Sequence, residues 1–385
     1  MKICHLFYQK KKYGGSESYV EMIEKYSTFN HQRDYVLKKY NYLPTIINTL
    51  LGFKTLAKEV VNSKKYDLIH SHFFILGYYV QKYGGKSIVT SHCLLSEEFK
   101  LAIPDMKGIL SKLDMSVSYL ICLLLEKYMY PKLDNLLVIS NFHKNELIKI
   151  GAKPIKMNAP IDIKQFHCKE NVGKVSIRKK MGIPNKTTLL FLARPTYLKG
   201  LHILIKAINS VKKNIKFQLL VVGDGYFINH KNELCYSPCV KSLNNRTDSK
   251  KDYSFHMKIN SNRVIVKKEE PHKNIQDYFM ASDILICPSL YESLGFVNME
   301  AIASGVFVIA SDAGGIKEII KNNKNGFIFR NKSSKDLAKK IKISIENPNL
   351  RKKCIANGKK FIKNFNYDKH ILLIDNYYKK IYGRN

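Results

Sequence analysis

The sequence predicts an α/β protein built from two Rossmann-like, doubly wound parallel-sheet domains with a cleft between them. Three observations carry this. Short runs that are apolar on both faces recur along the chain, as parallel strands covered by helices require. Helical stretches alternate with them. The chain has 385 residues, too many for one ordinary core and suited to two.

The expected strands are I-C-H-L-F-Y (3–8), D-L-I-H-S-H (67–72), S-I-V-T-S-H (87–92), L-L-V-I-S (136–140), L-L-F-L-A-R (189–194), Q-L-L-V-V-G-D-G (218–225), R-V-I-V (263–266), D-I-L-I-C-P-S (283–289) and V-F-V-I-A-S-D (306–312). Between them, 16–27, 51–63, 141–150, 199–213 and 316–322 read as helices, and the greasy stretch 291–305 as another. The polar, lysine-rich segment starting F-H-C-K-E-N-V-G-K reads as a linker. Expected domains are therefore 1–165 and 166–362, followed by a helix over 363–385 that packs back on the first domain. Residues 226–261 break the rhythm, hold no clear strand, and read as a surface insertion, with an acceptor-binding loop as the alternative.

Composition narrows the class. Lysine and arginine total 65 against 31 acidic residues, a net charge of +34, yet only eight of the 65 are arginine. The lysines are spread among Asn, Ile and Tyr, a mixture that an AT-rich genome would produce with no function attached, and no nucleic-acid-binding motif accompanies them. Nucleic acid is not an expected partner; an anionic membrane surface is. No apolar run approaches the roughly 18–20 residues of a membrane span, and the N-terminus reads as a first strand rather than a signal peptide. Eight scattered cysteines, with only Cys235 and Cys239 close together, read as free thiols of a reducing cytoplasm.

Ligands of doubly wound sheets bind beyond the carboxyl ends of strands, so the chemistry is sought in those loops. The first strand leads to Y-G-G-S-E, where Gly14 and Gly15 open a helix and let backbone N–H groups approach an anion. A-R-P-T-Y-L-K-G follows another strand and offers two cations, Arg194 and Lys199. V-V-G-D-G ends a third, and Gly295 and Gly314-Gly315 precede two further helices. No P-loop, no complete G-x-G-x-x-G after the first strand and no D-x-D occur. A diphosphate would then be met by Arg194, Lys199 and helix N-termini. In Y-E-S-L-G-F-V-N-M-E-A-I-A-S-G, Glu300 stands among apolar neighbours, where a carboxylate is costly without a partner.

These motifs, in this order, resemble the donor-site region of the retaining family-four glycosyltransferases. The family mark is E-x7-E, here Glu292 to Glu300, followed by G-G-x-x-E, here Gly314 to Glu318. The resemblance runs along nearly the whole chain, through D-L-I-H-S-H, I-V-T-S-H, V-I-S-N-F-H, the Arg194–Lys199 loop and I-L-I-C-P-S-L-Y-E. It implies a GT-B fold, with an acceptor site in the N-terminal domain and a nucleotide-sugar held mainly by the C-terminal one. It implies that Glu300 bonds the ribose hydroxyls, which would give the carboxylate its partners. Glu292 would face the sugar hydroxyls, and the backbone around Leu294, Gly295 and Phe296 the sugar and phosphate. Arg194 and Lys199 would neutralise the diphosphate leaving group, Gly14 and Gly15 would approach it, and His92 would sit by the sugar ring. His70 and His72 share a strand-end face and could ligate a metal with His92, but the family needs no catalytic metal. Three departures stand out: Ala193 where the family usually has glycine before the arginine, N-A-P-I-D at 158–162 in place of P-N-G-V-D, and K-K-E-E at 267–270 where a glycine usually follows the strand, which leaves the nucleotide base open.

The resulting expectation is a metal-independent hexosyltransferase of the EC 2.4 type. It would move sugar from UDP or GDP to a bacterial surface polysaccharide, lipopolysaccharide or lipid-linked acceptor, and needs no cofactor beyond its donor substrate. A nucleotide-sugar epimerase of the same fold and a non-catalytic sugar-nucleotide or lipid-binding protein are the alternatives. Residues 101–132 combine Ile109, Leu110 and Leu113 with Lys107, Lys112, Lys127 and Lys132, the pattern of an interfacial helix, although 117–125 reads equally well as a core helix of the N-terminal domain. The expected location is the inner face of the cytoplasmic membrane, bound peripherally.

Overall fold

The computed structural model describes residues 1–7, 15–35, 45–105, 108–166, 173–212, 214–223, 225–228, 233–236, 255–259, 263–267 and 275–383. The chain divides into two compact units, Met1–Pro160 with Phe365–Asn385, and Ile161–Asn364.

The first unit runs β1 (Lys2–Phe7), α1 (Gly15–Tyr26), β2 (Asn30–Tyr35), α2 (Thr45–Asn62), β3 (Leu68–Ser71), α3 (Phe74–Lys82), β4 (Ser87–Thr90), α4 (Leu95–Ala102), α5 (Ile109–Met129), β5 (Leu136–Val138), α6 (Asn141–Lys149) and β6 (Ile155–Lys156). Its six strands form one parallel sheet in the order β2-β1-β3-β4-β5-β6. The strands β3, β4 and β5 are buried throughout, and Leu6, Ile69, Val89, Val138, Phe53 and Leu76 anchor the core around them. The edge strand β2, N-H-Q-R-D-Y, was not expected. It carries no apolar alternation and is held by register with β1 and by Arg33, which bonds both oxygens of Glu24.

The second unit holds α7 (Ile163–Phe166), α8 (Lys174–Lys180), β7 (Thr188–Leu192), α9 (Leu201–Ser210), β8 (Gln218–Val222), β9 (Tyr226–Ile228), β10 (Glu233–Tyr236), β11 (Phe255–Lys258), β12 (Val264–Lys267), α10 (Ile275–Ala281), β13 (Ile284–Cys287), α11 (Phe296–Ala303), β14 (Phe307–Ser311), α12 (Ile316–Ile319), β15 (Phe327–Phe329), α13 (Ser334–Glu346) and α14 (Pro348–Ile362). A second six-stranded parallel sheet has the order β12-β8-β7-β13-β14-β15. The final helix, α15 (Tyr367–Tyr382), belongs to the first unit, where Asp375 accepts from Ser27 and Thr28 at the end of α1.

Two expectations change. The insertion is not strandless: β9, β10 and β11 form an antiparallel sheet, and Tyr226 and Leu234 join the core of the second unit. E-L-C-Y is too short to show its period, so only burial reveals it. The expected linker likewise contains α8, whose Arg178 bonds Asp283 and the Ala281 carbonyl.

The 21-residue α5 buries only Cys122, Glu126 and Met129. Ile109, Leu110, Leu113, Val117, Leu120, Leu124 and Tyr128 are exposed. At about 100° per residue these seven fall within one arc of about 100°, with Lys112 and Lys127 exposed along its border. Among the described residues no helix is long and apolar enough to cross a membrane.

Candidate functional site

In the second sheet the strand order reverses between β7 and β13, which lie side by side. The loops leaving their carboxyl ends meet at this switch point, the usual ligand crevice of such sheets. The loop after β7 carries Arg194 and a single helical turn, Tyr197–Lys199, before α9. The loop after β13 carries Ser289 and Glu292 before α11. Leu290 N donates to Leu198 O at 2.7 Å and ties the two loops together. Gly200 makes the approach feasible: its φ is +70°, and a Cβ there would lie 1.9 Å from the Pro288 carbonyl oxygen. Gly315 serves the third loop in the same way. Its N–H donates to the Glu292 carbonyl at 2.9 Å, and a Cβ would lie 2.0 Å from the Ser293 carbonyl oxygen.

Within this frame the Lys199 ammonium donates to Glu292 Oε1, and the Ser289 hydroxyl donates to the same oxygen at 3.0 Å. The pair is partly sheltered, with 28% of the Lys199 and 15% of the Glu292 side chain exposed. Burial pulls the Lys199 ammonium down, but the charge and hydrogen bond of Glu292 outweigh it, and the net shift is upward. Arg194 is exposed and acts on Lys199 as a like charge. Two cations and one carboxylate thus converge at the switch point. Tyr197 and His202 stack beside them with ring centroids 4.4 Å apart.

Leu294 and Gly295 are buried, and Phe296 opens α11 half-buried. Glu300 is buried one turn further on, and it already interacts within the protein, so its burial alone does not demand a ligand. The unmet polar groups are others. Asn298 is fully buried, and neither its amide nitrogen nor its amide oxygen has a hydrogen-bond partner among the described residues. The buried Ser293 hydroxyl is in the same state. Such groups are normally satisfied by protein, water or ligand. Sequence reading passed over Asn298 because it sits in an apolar run; a buried amide at the start of a helix at a strand end was the available signal.

The remaining candidates belong to the first unit. Gly14 lies outside the described residues, and Gly15 is the exposed first residue of α1. His92 is half-buried just beyond β4, and burial lowers it to about 4 despite the opposing pull of Glu17. The candidate metal set shifts. Ligand atoms of His5, His70 and His72 lie within 4.8 Å of one another, with His5 in place of His92. Their nitrogens are hydrogen-bonded: His70 to Tyr378 and to Thr90, each at 2.7 Å, and His5 to His72 at 2.9 Å.

Residues 174–361 match the family of glycosyl transferases group 1. Two glycosyltransferases of Methanocaldococcus jannaschii, both uncharacterized, are similar to the chain. MJ1178 is 25% identical over 348 residues, 90% of this chain and 83% of that protein. MJ1607 is 26% identical over 188 residues, 49% of this chain and 43% of that protein. Among solved structures, sucrose-phosphate synthase from Thermosynechococcus elongatus superposes with a TM-score of 0.76 over 100% of both chains at 18% identity. HepE of Anabaena, solved in complex with UDP-glucose, gives 0.67 over 99% of this chain and 98% of its own at 19% identity. The E-x7-E loop and the R…KG loop lie within the matched residues 174–361, just under half of the chain, and the chain as a whole has the GT-B fold.

Proposed function

We propose that this protein is a glycosyltransferase that moves a hexose-type sugar from a nucleoside diphosphate sugar to a cell-surface glycan or its lipid-linked precursor. In this reading the anomeric configuration is retained and no catalytic metal is used. The observation that carries it is the convergence of Arg194, Lys199 and Glu292 at the switch point of the second sheet. Departure of a nucleoside diphosphate develops negative charge on the β-phosphate, and fixed cations stabilise that charge more in the transition state than in the ground state. Lys199 and Arg194 supply those cations, and the upward shift of Lys199 keeps it charged.

Glu292, held by Lys199 and Ser289, receives the sugar hydroxyls; Glu300 receives the ribose. Backbone N–H groups of Leu294, Gly295 and Phe296 take the phosphate. The unsatisfied Asn298 amide and Ser293 hydroxyl favour a polar ligand in this loop. The HepE complexes with UDP and with UDP-glucose make a uridine diphosphate sugar the first donor to test. The acceptor binds the first unit, and the exposed stripe of α5, bordered by Lys112 and Lys127, holds that unit on an anionic cytoplasmic membrane face.

The test is incubation of the purified chain with labelled UDP-hexoses and GDP-hexoses and with membrane lipid or glycan acceptors. Label transferred to an acceptor supports the reading. Conversion of the sugar nucleotide with no acceptor present would instead indicate an epimerase.

A further inference from the structure

Four histidines of the first unit are joined in series. His31 Nδ1 lies 2.9 Å from His5 Nε2, His5 Nδ1 lies 2.9 Å from His72 Nε2, and His72 Nδ1 lies 3.3 Å from His92 Nε2. Successive rings are inclined by only 27°, 25° and 29°, with centroids 5.0, 5.2 and 5.5 Å apart, the spacing of rings joined edge to edge. The fold supplies the row: His31 stands on β2, His5 on β1, His72 just after β3 and His92 just after β4, and the order of strands in the sheet is β2-β1-β3-β4.

Every link joins Nδ1 of one ring to Nε2 of the next, in the same sense. A neutral imidazole has one donor and one acceptor nitrogen, so one proton per link imposes a single choice on all four rings. Either all carry the proton on Nδ1 or all carry it on Nε2. Neutrality is secured by burial, which holds His5 and His72 well below the ordinary imidazole range and lowers His31 and His92 as well. The surrounding charges leave this intact. Arg33 faces His5 and His72 from β2, and Glu17 of α1 acts on His92. Glu24 and Asp375, which act on His31 from α1 and α15, are already engaged by Arg33 and by Ser27 and Thr28.

The far end makes the choice. His31 Nε2 is buried and has no hydrogen-bond partner among the described residues. As an N–H it would be a buried donor without an acceptor; as a lone pair it is an unused acceptor, the better tolerated defect. We propose that this relay fixes His92 as the neutral Nδ1–H tautomer, a hydrogen-bond donor to a substrate oxygen, with His5, His31 and His72 as positioning residues. Only the assignment of that oxygen to a sugar substrate rests on the glycosyl-transfer reading.

The test is independent of turnover, so its failure and the failure of that reading are distinguishable. Ring 15N shifts of the full-length chain are recorded at about pH 8, with His92 assigned through His92→Gln. The expected spectrum shows His92 protonated on Nδ1 alone. Free neutral imidazole favours Nε2–H, so an Nε2–H signal, or an averaged mixture, at His92 overturns the proposal. His31→Asp then puts a carboxylate, an acceptor, against His5 Nε2. Where His5 switches to Nε2–H, His92 must switch with it, two links further on; a switch at His5 that leaves His92 unchanged also overturns the relay. If His31→Asp leaves His5 unswitched or does not fold, the wild-type spectrum alone decides.

Discussion

Lys199 and Glu292, 93 residues apart in sequence, form a direct ion pair where the loops after β7 and β13 meet. The pair holds the two strand-end loops of the second unit against one another. It also sets a cation and a carboxylate at the place where doubly wound sheets bind their ligands.

Removing either partner should therefore cost turnover rather than fold. Lys199→Ala and Glu292→Gln are each expected to lower kcat by roughly 10²–10³-fold, the range seen for loss of one preorganised electrostatic group. Both should melt within a few degrees of the parent. Steady-state rates with the preferred donor check this. An unchanged kcat in Lys199→Ala would remove the lysine from the chemistry.

A second ion cluster, away from the site, should govern acid stability of the same unit. Asp283 accepts from Arg178 at 2.7 Å, from Lys174 at 2.8 Å and from Thr188 N at 2.8 Å. Burial pushes its carboxyl up, but Lys174, Thr188 and Arg178 together bring it below the usual aspartate value. A lowered carboxyl contributes stability that is complete above its unfolded value, near 3.8, and is lost as pH falls through the folded one. Asp283→Asn leaves the buried Arg178 without its counter-charge and should cost about 3–5 kcal/mol at neutral pH. Denaturant melts at pH 7 and pH 3 should show that deficit shrinking in acid.

Glu126 has the opposite sign. It sits at 1% exposure and accepts from Leu95 N at 2.7 Å and Ser96 N at 3.2 Å, capping α4. Burial, only partly countered by the Ser96 and Leu95 hydrogen bonds, raises its carboxyl from 4.5 to about 7. The folded state therefore keeps a proton that the unfolded state loses, and stability falls as pH rises from 4.5 to 7. The charged form costs on the order of 3 kcal/mol above that window. Glu126→Gln keeps an acceptor for the cap and sheds the charge. At pH 8 it should match or exceed the parent in melting temperature, and at pH 4.5 show no advantage.

The stripe on α5 predicts membrane binding. The chain should co-sediment with vesicles containing anionic lipid, less so in high salt, and hardly with neutral ones. Leu120→Glu with Leu124→Glu places two charges in the middle of the stripe and should abolish co-sedimentation without shifting the melt, because both positions are solvent-exposed. Salt-insensitive or absent binding of the parent chain contradicts the membrane reading.

The sheets were legible because parallel strands are apolar on both faces: D-L-I-H-S-H, Q-L-L-V-V and D-I-L-I-C announce themselves without neighbours. The edge strand Asn30–Tyr35 was not, since its polar residues are held by β1 and by the Arg33–Glu24 pair rather than by burial. The short strands of the insertion failed for a related reason: four residues are too few to display a period, and Leu234 is buried only by tertiary packing. At the site, motif order pointed to Arg194, Lys199, Glu292 and Glu300. The Lys199–Glu292 pairing, the Ser289 hydroxyl and the unmet Asn298 amide arise from loops that approach one another in space, and no spacing in the sequence encodes them. The series of histidines is of the same kind. His70 and His72 are conspicuous two residues apart, but His31 and His5 join the row only through the order of strands in the sheet.

The central claim is that the second unit binds a nucleoside diphosphate through the Lys199–Glu292 loops. Calorimetric titration of UDP, GDP and ADP, each with and without magnesium, into the parent chain and into Lys199→Ala tests it most directly. The account predicts that one nucleotide, UDP first among them, binds the parent without needing magnesium, and that Lys199→Ala weakens it by at least tenfold, about 1.4 kcal/mol. No binding by any of the three, or equal binding by Lys199→Ala, would contradict it.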